Sequence, residues 1–589
     1  MWQVCFFLSI GCVLLTLALL VTGRKRNPLN FLFAGVFVAA MLIFVPVHAS
    51  AASGVLGGWK TFFLSVFTAM QVFTIGCDYE LIAKQMIYCP EFLNGTYQLW
   101  ASIIFALAPV LTFGFVLSLF KNLSARLKYL RGFFRDTYVF TELNDRSLVL
   151  ASDLRNKDRK AMLVFMDVFS DKEETADELL TEAKKLKAVC FKKDVATVNL
   201  GRRAAGKLLA FFAIGMDDTE NLNHALKLVK EYRDRDNTHL YVFSTGVEGE
   251  LLLTDLDKGK IKVRRINHVQ SLINRILYEN GQQLFENACP PDDTGVRQIG
   301  AVVLGMGQHG TEMVKALAWY GQMDGYRIRI TGFDKDPLAR ERFAALAPEL
   351  ISPKYNGVRI PGEAQYEIQI HPGMDVETQS FVQKVKEHKD TTYIFIALGN
   401  DVVNIQTAVQ LRMQFERLGV HPVIHAVVYN SQQKNALAGI TNYRGQAYDI
   451  AFMGDVESSF TEDVILHSQL EAQALKIHLR WGKEADFWAY EYNYRSSVAS
   501  AIHLRARIGC KIPGADKKEE DLTPQERTTV EMLEHRRWNA YMRAECYIYS
   551  GSKDKASRND LAKMHHDLVD YPALSEEEKR KDSRIGAGG

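Results

Sequence analysis

The sequence predicts a multidomain protein in which an α-helical transmembrane region is followed by two α/β doubly wound, Rossmann-like domains and a small α-helical C-terminal domain. Three observations predict it. The first 120 residues hold four apolar runs and few charges, whereas the chain after Lys121 is mixed in charge. From Thr137 onward, short apolar runs alternate with helical patterns, and the alternation recurs about 160 residues later. A turn-rich linker then leads into a final stretch rich in aromatic and charged residues. With 589 residues the chain is long enough for three or four domains of about 150 each. A net charge of +2, with 47% apolar and 24% charged residues, excludes a disordered chain and a global nucleic-acid footprint. Eight cysteines form no CxxC or Cys/His cluster at zinc spacing, so neither a disulfide scaffold nor a metal site is indicated, and the soluble part reads as reduced and cytoplasmic.

The transmembrane region covers residues 1–123. Cys5 to Val21 and Phe31 to Val47 read as spans, and Arg24, Lys25 and Arg26 between them belong inside by the positive-inside bias, which puts the N-terminus outside. A cleaved signal peptide is disfavoured because the basic residues follow the first apolar run and further spans come after it. Leu99 to Phe120 offers 22 uncharged residues, about 33 Å of helix. Phe62 to Ile75 is only 14 residues and contains Gln71, a length that suits a re-entrant segment better than a span. Parity agrees. Three spans deliver the chain inside at Lys121, where Arg126, Lys128, Arg131 and Arg135 form a second basic flank. Segment 59–78 is therefore expected to dip in and return.

An outer helix, a short pore helix, a turn of small and hydroxyl residues and an inner helix is the plan of potassium-type channels. Here the turn is Thr74-Ile75-Gly76-Cys77-Asp78, and Thr74, Ile75 and Gly76 are the candidate pore residues. Backbone carbonyls would face a subunit ring's axis, and glycine would supply the dihedrals this needs. The family's T-V-G-Y-G pattern is reduced, so the resemblance implies cation passage without implying potassium selectivity. The other reading is a fourth span, with Cys77 and Cys89 as an extracytoplasmic disulfide pair. Pro109 and Gly114 are hinge positions, or an ordinary kink.

The first α/β domain spans 136–285, with strands at Tyr138–Phe140, Met162–Phe165, Ala188–Phe191, Phe211–Ile214 and Leu240–Phe243. The second spans 298–480, with strands at Ala301–Leu304, Arg327–Thr331, Tyr366–Ile370, Tyr393–Ala397 and Pro422–Val428. Its first strand runs into Gly305-Met-Gly307-Gln-His-Gly310, and Asp334 stands 24 positions after the last glycine. In that context glycines admit a pyrophosphate to a helix N-terminus and a carboxylate binds a ribose hydroxyl. Gly305, Gly307, Gly310 and Asp334 are thus candidate binders of NAD(H) or another adenine nucleotide, the other reading being a tight turn kept for packing. His309 is expected exposed on this turn. The matching turn of the first domain has no glycine and would set Glu142 and Asp145 against a phosphate, so that domain reads as structural or as a site for something else, such as a cation. Asp167 reads as a solvated carboxylate. A pore-like region followed by tandem Rossmann units resembles channels with regulator-of-potassium-conductance (RCK) domains, over roughly residues 30 to 450. The resemblance implies a homotetramer in a bacterial plasma membrane, a gating ring beneath the pore, and Lys121 to Arg135 as the linker.

Residues 481–585 open on Trp481, Trp488, Tyr492, Tyr494 and Arg495, and a linker from Pro513 to Glu526 precedes a module at about 523–583. The module carries His535, Trp538, Arg543, Tyr547, Tyr549, Lys563, His565, Leu568, Tyr571, Leu574 and Lys579 in order. That spacing resembles the ryanodine-receptor repeat (RyR) domain in its prokaryotic stand-alone form, with Cys546-Tyr547 in place of Gly-Trp and Ser550 in place of the following Gly. His535 and Trp538 lie three apart on one helical face and offer a stacking surface and a donor to a base or ribose. Arg543 and Lys563 balance a phosphate in this reading. Tyr547, Tyr549, His565 and Tyr571 complete the candidate ligand set; the plainer reading makes these aromatics the module's core. Gly586 to Gly589 reads as an unstructured tail.

The expected function is a ligand-gated, cation-permeable membrane channel that senses a nucleotide-derived signal, with membrane lipid and a small nucleotide as partners. The resemblance implies use as an antiphage effector. No catalytic constellation is evident, so an enzyme is not expected. The alternatives are a non-conducting receptor that recruits a partner and a membrane-tethered NAD(P)-dependent enzyme built on Gly305 to Asp334.

Overall fold

A computed structural model of the chain describes residues 1–21, 28–50, 57–168, 176–201, 204, 206–254, 256–351, 354–355, 358–359, 366–438, 442–466 and 468–588. The basic loop Arg24-Lys25-Arg26 lies outside these residues. The chain forms two compact units, Met1–Arg131 and Gly132–Gly589.

The first unit is helical: α1 (Trp2–Val21), α2 (Pro28–Ala49), α3 (Gly57–Phe73), α4 (Glu80–Gln85) and α5 (Glu91–Arg131). Within α2 and α5, Leu32–Ala49 and Glu91–Phe113 are long and apolar enough to cross a membrane, and Trp2–Ala18 is apolar but shorter. α1 and α2 run antiparallel. Ser9 Oγ donates to the Ala39 carbonyl at 3.0 Å, and a Cβ on Gly35 would come within 2.3 Å of Thr16. Tyr97 of α5 donates to the Ile43 carbonyl at 2.6 Å and meets the Trp2 ring at 5.1 Å. The starts of α1 and α5 therefore lie level with the C-terminal part of α2.

Helix α3 descends along α2. Thr68 Oγ1 is 2.9 Å from His48 Nε2, whereas the Phe73 ring lies 4.7 and 5.7 Å from Phe33 and Phe37. Six residues later the chain has come back. Tyr79 donates to the Gln98 carbonyl at 3.1 Å and packs 5.4 Å from Phe105, itself 6.1 Å from Phe44. Thr74 to Asp78 thus reverses about 10 Å of axial travel along α2. The reversal is made by a capped helix end. Gly76 N–H donates to the Gln71 carbonyl at 2.8 Å and Ile75 N–H to that of Val72 at 3.4 Å, the paired bonds of a Schellman cap. The left-handed residue is Ile75, at φ +60°, and not Gly76 as expected from sequence. Cys77 and Cys89 are both free thiols, so the disulfide alternative is not formed.

The second unit holds two six-stranded parallel sheets. The first comprises β1 (Thr137–Phe140), β2 (Met162–Phe165), β3 (Val189–Cys190), β4 (Leu209–Ala213), β5 (Thr238–Phe243) and β6 (Lys262–Ile266), in order 3-2-1-4-5-6. The second comprises β7 (Arg297–Leu304), β8 (Tyr326–Phe333), β9 (Tyr366–His371), β10 (Thr391–Ile396), β11 (Val423–Val427) and β12 (Ile450–Met453), in order 9-8-7-10-11-12. Both are the doubly wound Rossmann order, with the switch point between first and fourth strands. The ten strands expected are present. The two edge strands β6 and β12 are additional. Lys262-Val-Arg-Arg-Ile does not read as a strand because its arginines turn to helical partners: Arg264 pairs with Glu471 at 2.7 Å, and Arg265 pairs with Glu491.

Helix α6 (Asp145–Lys157) follows β1, α7 (His268–Asn280) follows β6, and α8 (Gln308–Tyr320) follows β7. α8 is buried nearly all round, from Met313 to Tyr320, because it is covered by its sheet on one side and by the C-terminal helices on the other. Those helices are α9 (Gln469–His478), α10 (Glu491–Gly509), α11 (Pro524–Ala544) and α12 (Glu576–Gly586). A capping box between Thr523 and Glu526, with Pro524 in the first turn, starts α11. Trp319 of α8 meets Tyr541 of α11 at 6.4 Å. The tail is docked rather than unstructured. Gly588 N–H donates to the Lys517 carbonyl at 2.8 Å, and a Cβ there would sit 2.4 Å from the Ala515 carbonyl, so only glycine allows the approach.

Candidate functional site

At the second switch point the three glycines divide their roles. A Cβ on Gly305, which has φ +87°, would sit 2.3 Å from the Ala397 carbonyl, and one on Gly310 would sit 1.7 Å from the Gly305 carbonyl. These two serve packing. Gly307, the N-cap of α8, has nothing within 4 Å of its Cβ position, so it alone leaves open space in front of the helix N-terminus. Asp334 also braces the turn. Its Oδ2 accepts from Met306 N–H at 2.5 Å and its Oδ1 from Asp336 N–H at 2.7 Å, so it ties the end of β8 to the glycine turn. His309 is half-buried against Tyr429, with rings 5.9 Å apart, and burial pushes its pKa down to about 4.

The glycine-free turn of the first domain is closed by Asn144, whose Oδ1 accepts from Ser147 N–H at 2.9 Å and whose Nδ2 donates to the Ile214 carbonyl at 2.9 Å. Asn144 thereby ties the turn after β1 to the end of β4. The two domains share a device that the sequence reading missed, an Asp-x-x-Asn in the helix after the fourth strand. Asp218 accepts from Thr245 N–H at 2.6 Å, and Asn221 donates to the Phe243 carbonyl at 2.9 Å. Asp401 accepts from Asn430 N–H at 2.8 Å, and Asn404 donates to the Val427 carbonyl at 2.7 Å. Repetition of this spacing after Ala-Ile-Gly and Ala-Leu-Gly was the available signal. The C-terminal edges of the two sheets face each other, with Gln308 Nε2 3.4 Å from Thr245 Oγ1. His268 lies between them, held down to about 4 by burial and then by Arg146 and His309.

A cavity of about 420 Å³ lies between α10 and the C-terminal module, a size that suits a small-molecule ligand. α10 presents Asn493, Ser496, Ser497 and Ser500 to it, the i, i+3, i+4, i+7 set of one helix face. Sequence reading passed over this face because short hydroxyl residues read as helix filler. Tyr492 and Trp538 add aromatic surface, and Lys555, Arg558 and Lys581 add positive charge.

Of the residues expected to bind ligand, His535, Trp538 and His565 line this cavity. His535 is a fixed strut, with Nε2 2.7 Å from the Val569 carbonyl and Nδ1 3.2 Å from Asp582 Oδ2. Burial opposes its charge, but the bond to Asp582 outweighs this and its pKa is raised; burial pushes Asp582 up to about 6. Arg543, Tyr547, Tyr549, Lys563 and Tyr571 point elsewhere. Arg543 bonds Tyr366 of β9, Tyr547 donates to Asp560 at 3.4 Å, Lys563 Nζ donates to the Glu545 carbonyl at 2.9 Å, and Tyr571 donates to Glu531 at 2.6 Å. Tyr549 packs against the core from a two-residue strand paired with Met564–His565.

His565, His566 and Asp567 bring ligand-type atoms within 4.8 Å of one another. The two imidazoles are stacked, 4.7 Å apart and 10° from parallel. Their lone pairs lie in those near-parallel planes and do not converge on one ion. A scan against protein-family models matches none to this chain, and a search of curated proteins finds none similar to it.

Proposed function

We propose that this chain is a ligand-gated, cation-permeable channel, a homotetramer in a bacterial plasma membrane with the Gly132–Gly589 unit in the cytoplasm. The observation that carries the reading is the return of the chain between Phe73 and Tyr79, which sets the start of α5 level with the starts of α1 and α4. Three crossings by α1, α2 and α5, with α3 re-entrant, put the N-terminus outside and Arg126, Lys128, Arg131 and Arg135 inside. Thr74 to Gly76 then lies part-way through the bilayer, where irregular backbone is tolerated only against protein or a water-filled path. A ring of subunits supplies that path.

The RyR-like module supplies the sensor, and the cavity against α10 is its ligand site for a nucleotide-derived signal. α10 also transmits. Arg495, between Tyr492 and Ser496, reaches Glu250 of the first domain at 3.5 Å and Glu545 at the end of α11 at 2.5 Å. Ligand binding shifts the gate only by its preference for the open arrangement. An antiphage effector that depolarises the membrane is the biological use in keeping with this design. The test is ion flux from liposomes holding the full chain while adenine nucleotides and NAD-derived metabolites are added. Flux should appear with one ligand and vanish in Gly76→Trp. Bound ligand without flux would replace the channel with a receptor that recruits a partner.

A further inference from the structure

The floor of the C-terminal cavity buries unbalanced positive charge. The Glu534 carboxylate is shared by two guanidinium groups, with Oε2 accepting from Arg507 Nη2 at 3.0 Å and Oε1 from Arg537 Nη2 at 2.7 Å. Arg507 is fully buried, and Arg537 and Glu534 are each 1% exposed. Asp582, the other carboxylate at the floor, is taken by His535. His535 Nε2 donates to the Val569 carbonyl and Nδ1 shares one proton with Asp582, so the His535–Asp582 pair has no net charge whichever group holds that proton. Two guanidinium groups then stand against one free carboxylate charge. Burying an uncompensated ion is costly, because nothing in the interior replaces its hydration.

Arg537 lines the cavity; its Nη1 is enclosed without a hydrogen-bond partner among the described residues, and its guanidinium lies 5.8 Å from the Tyr541 ring. His566 is 7% exposed, lines the same cavity, and its Nδ1 is likewise without a partner there. Ser496 and Ser497 present hydroxyls from α10 on the same lining. Each carboxylate on the lining has a partner: Glu534 the arginines, Asp582 His535, Asp567 the His566 ring at 3.3 Å, and Glu578 both Lys581 at 2.7 Å and Lys555 at 3.3 Å. At the mouth, Lys555 pairs with exposed Glu577 and Arg558 with exposed Asp560, weak surface pairs that a ligand can displace, while Lys555 also reaches Glu578 at 3.3 Å.

We propose that the floor of this cavity is an oxyanion site that takes the phosphoryl group of a phosphorylated small molecule, with the Arg537 guanidinium and the His566 ring as its donors. The proposal rests on the reading of this cavity as the sensor's ligand site and states what that ligand must carry. A phosphodiester monoanion matches the surplus charge at the floor, and a monoester dianion draws in addition on the cations at the mouth. An uncharged nucleoside of the same shape leaves the guanidinium unpaired and binds poorly.

The test uses the purified full chain in detergent, with thermal unfolding and calorimetric titration against AMP, cyclic AMP, adenosine and inorganic phosphate. AMP or cyclic AMP should bind and raise the unfolding temperature, adenosine should bind at least tenfold more weakly, and inorganic phosphate should stabilise alone at higher concentration. Arg537→Lys keeps the charge beside Glu534 and removes the fork, so it should weaken the phosphorylated ligand tenfold or more while leaving adenosine unchanged. Because that variant can fail to fold, Ser496→Asp serves as the second; it adds a carboxylate to the lining and should abolish nucleotide binding. Equal binding of adenosine and AMP, or silence of all four probes, overturns the oxyanion site. Failure of the channel reading looks different: the phosphorylated probes bind as described and no flux accompanies them.

Discussion

Among the described residues, Ile75 is the β-branched residue held at positive φ. A β-branched side chain in the left-handed region is disfavoured by roughly 1–2 kcal/mol, and Ile75 is 80% exposed, so packing within its own chain does not offset this. Ile75→Gly should therefore stabilise the chain by about 1 kcal/mol in thermal unfolding, and a loss of conduction alongside that gain would mark the strain as serving the pore. The glycine turn gives a contrasting pair. Gly310→Ala meets the Gly305 carbonyl and should cost about 1–3 kcal/mol. Gly307→Ala meets nothing and should leave stability within about 0.5 kcal/mol, while crowding any phosphate at that helix end. At Asp582 and His535 the folded state holds protons that the unfolded chain releases. The stability from Asp582 is lost as pH rises from about 4 to about 6, and that from His535 as pH rises above 6.5 through its raised value. Wild type should lose unfolding temperature relative to Asp582→Asn across pH 4 to 6, and parallel curves would contradict the assignment. The sequence grouped Gly305, Gly307, Gly310 and Asp334, yet it could not show that Asp334 also accepts from the Met306 and Asp336 amides, since those bonds depend on how the β8 turn closes.

Among the elements, strands of continuous apolar residues were legible because both faces of a parallel sheet are buried. Edge strand β6 was not, because Arg264 and Arg265 leave the sheet to pair with Glu471 and Glu491, more than 200 residues away. The cavity wall was hidden for a related reason. Asn493, Ser496, Ser497 and Ser500 become a site only when α11 and α12 close over α10, and no local pattern reports that closure. Arg495 on the same helix is half of a partly buried pair system, and Arg495→Met would leave Glu545 without its partner. It should destabilise the chain by about 1–3 kcal/mol and, where folded protein is recovered, separate ligand binding from gating. Topology is checkable element by element. Single cysteines at Gly57 and Tyr79 in a cysteine-free background should both label from outside, whereas a fourth span would put position 79 within reach of cytoplasmic reagent only.

For the whole molecule, charge and hydropathy set residues 1–123 apart from the mixed-charge remainder, and the structure divides the chain after Arg131. The paired sheets bring their C-terminal edges together, with Gln308 of one beside Thr245 of the other, and the C-terminal helices pack on α8, the helix that carries the glycine turn. Ligand, switch-point turn and first domain are thus joined through α10 and α8 in one compact unit. The central claim is that a ligand in the C-terminal cavity opens a pore formed by the first unit. Single-channel recording of the full chain in a planar bilayer tests it most directly. The account predicts unitary current steps of constant amplitude whose open probability rises with a phosphorylated nucleotide and falls away in Arg537→Lys. Saturating ligand with a silent bilayer, or a leak without unitary steps that ignores both ligand and mutation, would contradict it.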